Sequence, residues 1–139
     1  MSDLAMTQAW GKLIPVMSDL MQDEVILEAN DAFYAAFRQR DYLAMEALWS
    51  RRSSVSCYHP GWPGITGREE VLDSWYSILV LGDTPDIKVR DTSIIRNGNT
   101  ALVFCTEQLG QVSLIATNTF IVEGDNWRLV HHQAAHLPN

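Results

Sequence analysis

The chain has 139 residues, 47% of them hydrophobic, enough for one domain with a sizeable core. Its formal net charge is −7, with only Lys12 and Lys88 as lysines and the arginines scattered. Nucleic-acid binding and membrane-surface binding both need concentrated basic residues, so both are disfavoured. No apolar run approaches bilayer-spanning length, and the opening residues lack a basic region followed by an apolar core. A cytoplasmic location is therefore expected.

Residues 1–21 read as an N-terminal helical extension and 22–139 as the domain proper. In the extension, Leu4, Trp10, Leu13, Ile14 and Met17 suggest a short helix ending near Pro15, because proline disfavours the helical conformation of the residue before it. That segment is a candidate to pack on the domain or on a second subunit. Residues 23–39 give the strongest helical pattern, with Val25, Ile26, Ala29, Phe33, Ala36 and Phe37 on one face. Asp23 and Glu24 would then occupy the first turn, where the helix dipole favours negative charge. Asp41 is placed to cap a second helix, with Leu43, Ala44, Ala47 and Leu48 inward and Trp49 at its end.

Ser54–Tyr58 reads as a short strand. The loop His59-Pro60-Gly61-Trp62-Pro63-Gly64 follows, stiffened by two prolines. Thr66 and Glu69 have capping-box spacing and would open a helix with Val71, Leu72, Trp75, Ile78 and Leu79 inward. Gly82 stands where a left-handed C-terminal residue is expected.

Four strands then follow. Ile87–Arg96 and Thr100–Leu109 flank Asn97-Gly98, which reads as a type I′ turn. Gly110-Gln111 leads to Val112–Val122, and Glu123-Gly124-Asp125-Asn126 leads to Trp127–Ala135. Helices first and an antiparallel meander afterwards define an α+β fold, with the helices packed into a strongly curved sheet. The stretch from Gln111 to Val122 shows little clean alternation. Both sheet faces are therefore expected to meet apolar surface, the outer one in a homodimer.

The His59-Pro60-Gly61-Trp62 loop, Gly67-Arg68-Glu69-Glu70-Val71 opening a helix, Trp75 within it, and Trp127-Arg128-Leu129-Val130-His131-His132 in the last strand resemble the SnoaL-like branch of the nuclear transport factor 2-like superfamily. The resemblance covers residues 22–137. It implies a cone-shaped α+β barrel, also called a cystatin-like fold, with a pocket at its open end. Members include ketosteroid isomerases, polyketide cyclases, dehydratases, small-ligand binders and non-catalytic assembly domains, many of them dimers through the outer sheet face. This branch often carries a third consecutive histidine where this chain has Gln133, and the acid–base aspartate of the isomerases and cyclases matches no residue here.

His59 is the first candidate for chemistry, since a neutral imidazole accepts a proton near physiological pH. The alternative is a ring bonded to backbone that merely holds the loop. Trp62 can stack on a flat ligand or cap the core. Glu107 shares a strand face with Ala101, Val103 and Cys105. If that face lines the pocket, Glu107 is a desolvated carboxylate with general-base potential; if it faces out, Glu107 is a solvated or interface residue. In the last strand His131 and His132 point to opposite sides unless a bulge intervenes, with His132 the inward one. Asn118 and Thr117 likewise offer one polar group to each face.

Ligand-binding candidates are therefore Trp62, Tyr58, Phe33, Trp75, Asn118 and His132. Tyr34, Tyr58 and Tyr76 are candidate neutral donors. Cys57 and Cys105 read as reduced core thiols, with a cross-strand disulfide or a nucleophilic Cys57 as alternatives. No cofactor or metal is expected: His131 and His132 diverge, and His136 lies about 13 Å beyond His132 along the strand. Three functions compete: a binder of a small apolar or aromatic molecule, an isomerase, cyclase or dehydratase using His59 or Glu107 as base, and a dimeric assembly module.

Overall fold

The computed structural model describes the backbone of residues 3–138 and the side chains of residues 18–138. Helix α1 spans Asp3–Gln39 without a break at Pro15. Proline costs one hydrogen bond and one local clash, whereas every residue that propagates the helix beyond it adds a bond of its own. The expected stop at Pro15 is thus not made, and the helix also runs on across residues 21 and 22. The side chains of Leu4, Trp10, Leu13, Ile14 and Met17 lie outside the described residues.

Because α1 starts so early, Asp23 and Glu24 are not in its first turn. Asp23 instead faces Arg96 at 3.8 Å, beside a tighter Arg96–Asp19 pair at 2.5 Å. The buried stripe of α1 comprises Ile26, Asn30, Phe33, Tyr34 and Ala36; Val25 is exposed. Arg40 adopts a left-handed conformation (φ 54°) that ends the helix. Asp41 then caps α2 (Tyr42–Leu48), accepting a bond from the Ala44 backbone N–H at 3.0 Å. Met45, not Leu43, is the buried residue of α2, and Leu43 is 73% exposed.

Strands β1 (Ser56–Tyr58) and β2 (Ile65–Thr66) flank the proline loop, and α3 (Arg68–Tyr76) follows. The expected capping box is absent: Gly67 is the N-cap, with no side-chain bond to the helix end. The helix starts one residue too late for it, so Thr66 stands before the N-cap and Glu69 at the second helical position instead of the third. After Tyr76 the helix widens into a π-helical turn, Ser77–Leu81. Gly82 is not left-handed (φ −91°); Arg40 secures this corner instead, donating to the carbonyls of Leu79 and Gly82.

The remaining strands are β3 (Lys88–Asn97), β4 (Thr100–Leu109), β5 (Val112–Glu123) and β6 (Asn126–His136). The sheet order is β2-β1-β6-β5-β4-β3, antiparallel except where β1 runs parallel to β6. In the β3–β4 hairpin Asn97 pairs with Thr100, so the loop residues are Gly98 and Asn99 and not Asn97-Gly98. Of these two only Gly98 has positive φ, which rules out a type I′ turn and matches the glycine requirement at the first position of a II′ turn.

Two irregularities bend the sheet. In β3 one extra residue is inserted between Arg90 and Ser93, where Asp91 has φ 57°. In β6, Thr119 pairs with His131 and Phe120 with Leu129, leaving Val130 as the extra residue. Such bulges increase twist and curl a strand around what it covers. The curled inner face holds Leu114, Ala116, Asn118 and Phe120 of β5 and Ala101, Val103, Cys105 and Glu107 of β4 against α1 and α3. Burial in β5 from Ser113 to Ile121 therefore alternates cleanly, contrary to the sequence expectation. Leu102, Phe104, Ile115 and Ile121 are only partly buried or exposed and lie on the outer face.

Candidate functional site

The strand–loop–helix run that begins at β1 places two rings at one end of the sheet. His59 accepts the Trp62 backbone N–H at 3.0 Å, closing a four-residue turn with Pro60 and Gly61 at its centre. Proline supplies the first central dihedral and Gly61, at φ 79°, the second, as a type II turn requires. The imidazole is thereby turned inward, 4% exposed, and meets the edge of Trp75 at 4.7 Å between ring centres. Its Nε2 bonds Ser74 Oγ at 2.9 Å, so a side chain of α3 and not backbone holds the ring. Trp62 packs edge-on against His59 at 4.8 Å while remaining 44% exposed.

His132 reaches the same space from β6. The bulge at Val130 switches the strand's inward phase, so that Trp127 and Leu129 and then His132 and Ala134 all face inside. The His132 ring lies 4.9 Å from Phe33 and 6.4 Å from His59. His131 points away and bonds Ser56 Oγ at 2.7 Å.

Glu107 faces inward and is buried. The Tyr34 hydroxyl donates to its Oε2 at 2.5 Å and lies 3.2 Å from Cys105 Sγ. Asn118 donates from Nδ2 to Asn30 Oδ1 (2.8 Å) and to Tyr34 Oη (3.1 Å), and its Oδ1 meets His132 Nδ1 at 2.5 Å. One continuous chain of hydrogen bonds thus joins His132 to Glu107 through Asn118 and Tyr34.

Between these groups lies a cavity of about 150 Å³. Its walls are Phe33, Phe37, Trp75 and other apolar side chains, with His59, His132, Tyr34 and Glu107 as the polar lining and Trp62 at the exposed rim. Burial disfavours charge inside. It lowers His59 to about 4 and His132 to about 3, the latter aided by repulsion from His59 and His131. It raises Glu107 above the ordinary carboxylate range against the opposing Tyr34 bond, and it raises Tyr34. At neutral pH the two imidazoles are uncharged.

Other sequence candidates fall outside. Tyr58 is 43% exposed; its ring lies over Gly64 and His131 on the far side of β1. Tyr76 is also exposed and pairs with Tyr42. Asn118 sits behind the cavity wall and acts on it only through its bonds. Thr117 lies on the opposite face. Cys57 and Cys105 are both free and buried, so they form no disulfide; burial pushes their thiols up to about 12 and about 11, which leaves Cys57 no thiolate character. Arg68 bonds the Glu46 carbonyl. Among the described residues, no group of three or more His, Cys, Asp or Glu side chains is arranged to hold a metal ion.

Sequence reasoning missed Asn30 and Ser74. Each had a signal: Asn30 stands four residues before Tyr34 within the buried stripe of α1, and Ser74 directly precedes Trp75 on the inner face of α3. A polar residue at helical spacing inside an apolar stripe is a buried hydrogen-bonding group.

A bent, mainly antiparallel sheet closed over a long helix, with a cavity at one end, defines a cone of the cystatin-like type. Residues 26–138 match the family model described as SnoaL-like domain, and the chain belongs to that family. A putative dehydratase of the NTF2-like family from Streptomyces avermitilis is 33% identical, with a TM-score of 0.76 over 84% of this chain and 96% of that one. A putative calcium/calmodulin-dependent protein kinase type II association domain from Thiobacillus denitrificans is 32% identical, with a TM-score of 0.68 over 79% of this chain and 93% of that one. The F-box protein SKIP8 of Arabidopsis thaliana is 25% identical over 112 residues, 79% of this chain but 48% of that protein, so this chain spans about half its length.

Proposed function

We propose that this chain binds a small apolar or aromatic molecule in the cavity at the open end of the cone. The observation that carries this reading is the cavity itself: about 150 Å³, walled mainly by aromatic and aliphatic side chains, with a few polar groups gathered on its inner surface. An apolar cavity of about that size accommodates a benzene-sized guest, so the ligand is a single ring or a short branched chain. Titration with one-ring probes, followed by two-dimensional NMR, should shift resonances of Phe33, Trp75 and His59. Ile78→Trp, which fills the space from the π-helical turn, should abolish the shifts. Absence of binding by every probe at millimolar concentration, or binding that survives Ile78→Trp, would overturn the reading.

A second reading, an enzyme of the isomerase, cyclase or dehydratase type, is favoured by the buried Tyr34–Glu107 pair. A desolvated carboxylate with a raised pKa is a stronger base than a solvated one, and His59 is a neutral ring on the same wall. The similarity to the putative Streptomyces dehydratase supports the same class. Turnover of a hydroxy-carbonyl compound that is lost in Glu107→Gln or His59→Phe would establish it; turnover unchanged in both variants would exclude these bases.

The partly exposed apolar outer face around Leu102, Phe104 and Ile115 supports a second copy of the chain as partner. Sedimentation equilibrium should then give a dimer that dissociates in Phe104→Lys, and a monomer at all concentrations would refute it.

A further inference from the structure

The geometry points to a ligand that donates hydrogen bonds, a neutral alcohol or phenol carried on a single ring, and against ketones, aldehydes and anions. This inference rests on the binding reading above and adds the polarity of the ligand. It follows from where the hydrogens of Ser74, His59, Asn118, His132 and Tyr34 are committed.

Ser74 has one hydroxyl hydrogen, and it goes to the Val71 carbonyl at 2.6 Å. The 2.9 Å contact with His59 Nε2 therefore has the imidazole as donor, which leaves Nδ1 without a hydrogen. The Cys57 sulfur lies 3.5 Å from Nε2 and 3.8 Å from Nδ1, and a thiol is a weak donor that does not displace a hydroxyl. Asn118 spends both amide hydrogens on Asn30 and Tyr34. Its Oδ1 then receives the hydrogen of His132 Nδ1, so His132 Nε2 is bare. The Tyr34 hydrogen is committed to Glu107 Oε2. Each chain of bonds thus runs away from the cavity at its imidazole end and leaves an acceptor there.

The indoles do not change this polarity. Trp75 Nε1 is sealed from the cavity with no partner among the described residues, and Trp62 stands at the exposed rim. Among the described residues, no lysine or arginine lines the space. Two neutral imidazoles and a carboxylate give an anion nothing to pair with. They give a carbonyl oxygen only lone pairs to face, which costs it the hydrogen bonds it had in water. A hydroxyl, in contrast, donates to either bare ring nitrogen while its hydrocarbon part fills the apolar remainder.

The test compares shape-matched probes on the full chain by NMR titration at pH 7: cyclohexanol against cyclohexanone, benzyl alcohol against benzaldehyde, and benzoate. Each alcohol should bind at least about tenfold more tightly than its carbonyl partner, the worth of about one hydrogen bond, and benzoate should not bind. A ketone or aldehyde that binds as tightly as its alcohol, or benzoate that binds, overturns the inference while the pocket stands. Failure of every probe instead removes the binding reading itself. Imidazole nitrogen shifts in the free protein provide a check without a variant. They should report hydrogen on Nε2 of His59 and on Nδ1 of His132, and hydrogen on Nε2 of His132 would overturn the inference.

Discussion

Glu107 and Glu123 lie toward opposite ends of the same sheet and have opposite surroundings. Glu123 closes the turn region beside α2, where it accepts the backbone N–H groups of Arg51 and Arg52, the latter at 2.8 Å, with Ser50 Oγ and the Arg52 guanidinium nearby. Partial burial works against its charge, but these donors win and its pKa falls below the ordinary value. Glu107 has burial of the same sign and a single hydroxyl to oppose it, so its pKa rises. A carboxylate surrounded by donors holds its chain in place. A carboxylate left with one donor beside a cavity carries its charge at a cost.

The comparison can be broken by variants, and the largest effect is expected at the cavity end. Asn118→Leu leaves the His132 N–H and the Asn30 carbonyl without partners in a buried site and should cost about 3 kcal/mol in urea unfolding. A loss below about 1 kcal/mol would show that the network is not closed as described.

Acid should have the next largest effect. His59 and His132 have folded pKa values below the ordinary value of about 6.5, so the unfolded chain takes up protons first. Their contribution is complete above pH 6.5 and is lost as pH falls toward 4 and 3. Glu107, shifted upward, works in reverse and gains stability for the fold as pH falls. Two groups oppose one, and unfolding free energy should drop by roughly 2–3 kcal/mol between pH 7 and pH 5. A flat profile would mean that the rings are not desolvated.

Glu123→Ala removes donors' partners at the other end, where water can replace them, and should cost roughly 1 kcal/mol. The smallest effect is expected for Glu107→Gln. The amide still accepts from Tyr34 and no charge remains to desolvate, so stability at pH 7 should stay equal or rise slightly. Its acid profile should be steeper than that of the parent, because the opposing group is gone. A large loss in Glu107→Gln would make Glu107 a structural residue like Glu123.

Much of this architecture was legible from local patterns. The apolar spacing of α3, the strand boundaries of β4 and the Asp41 cap each rest on residues within a few positions of one another, and such signals survive without knowledge of the partner. The errors share a cause as well. Pro15, Thr66, Gly82 and the Asn97-Gly98 pair signal through residue type alone, while the backbone at each point is set by what the chain must reach next. Val25 and Leu43 look inward in the sequence because an apolar residue beside a buried one has the same signature as one that is buried.

The chain by itself determined that a long helix would be covered by an antiparallel meander, because periodicity of 3.6 and of 2 is written into the order of apolar residues. It also placed His59 at the head of a loop stiffened by Pro60 and Pro63. Tertiary structure alone decided which side of each strand became the inside. One extra residue at Val130 moves His132 into the cavity and His131 out, and no local pattern announces a bulge whose position depends on the neighbouring strand. The union of Asn30, Tyr34, Glu107, Asn118 and His132 likewise comes from four elements, α1, β4, β5 and β6, and only burial beside one cavity brings them together.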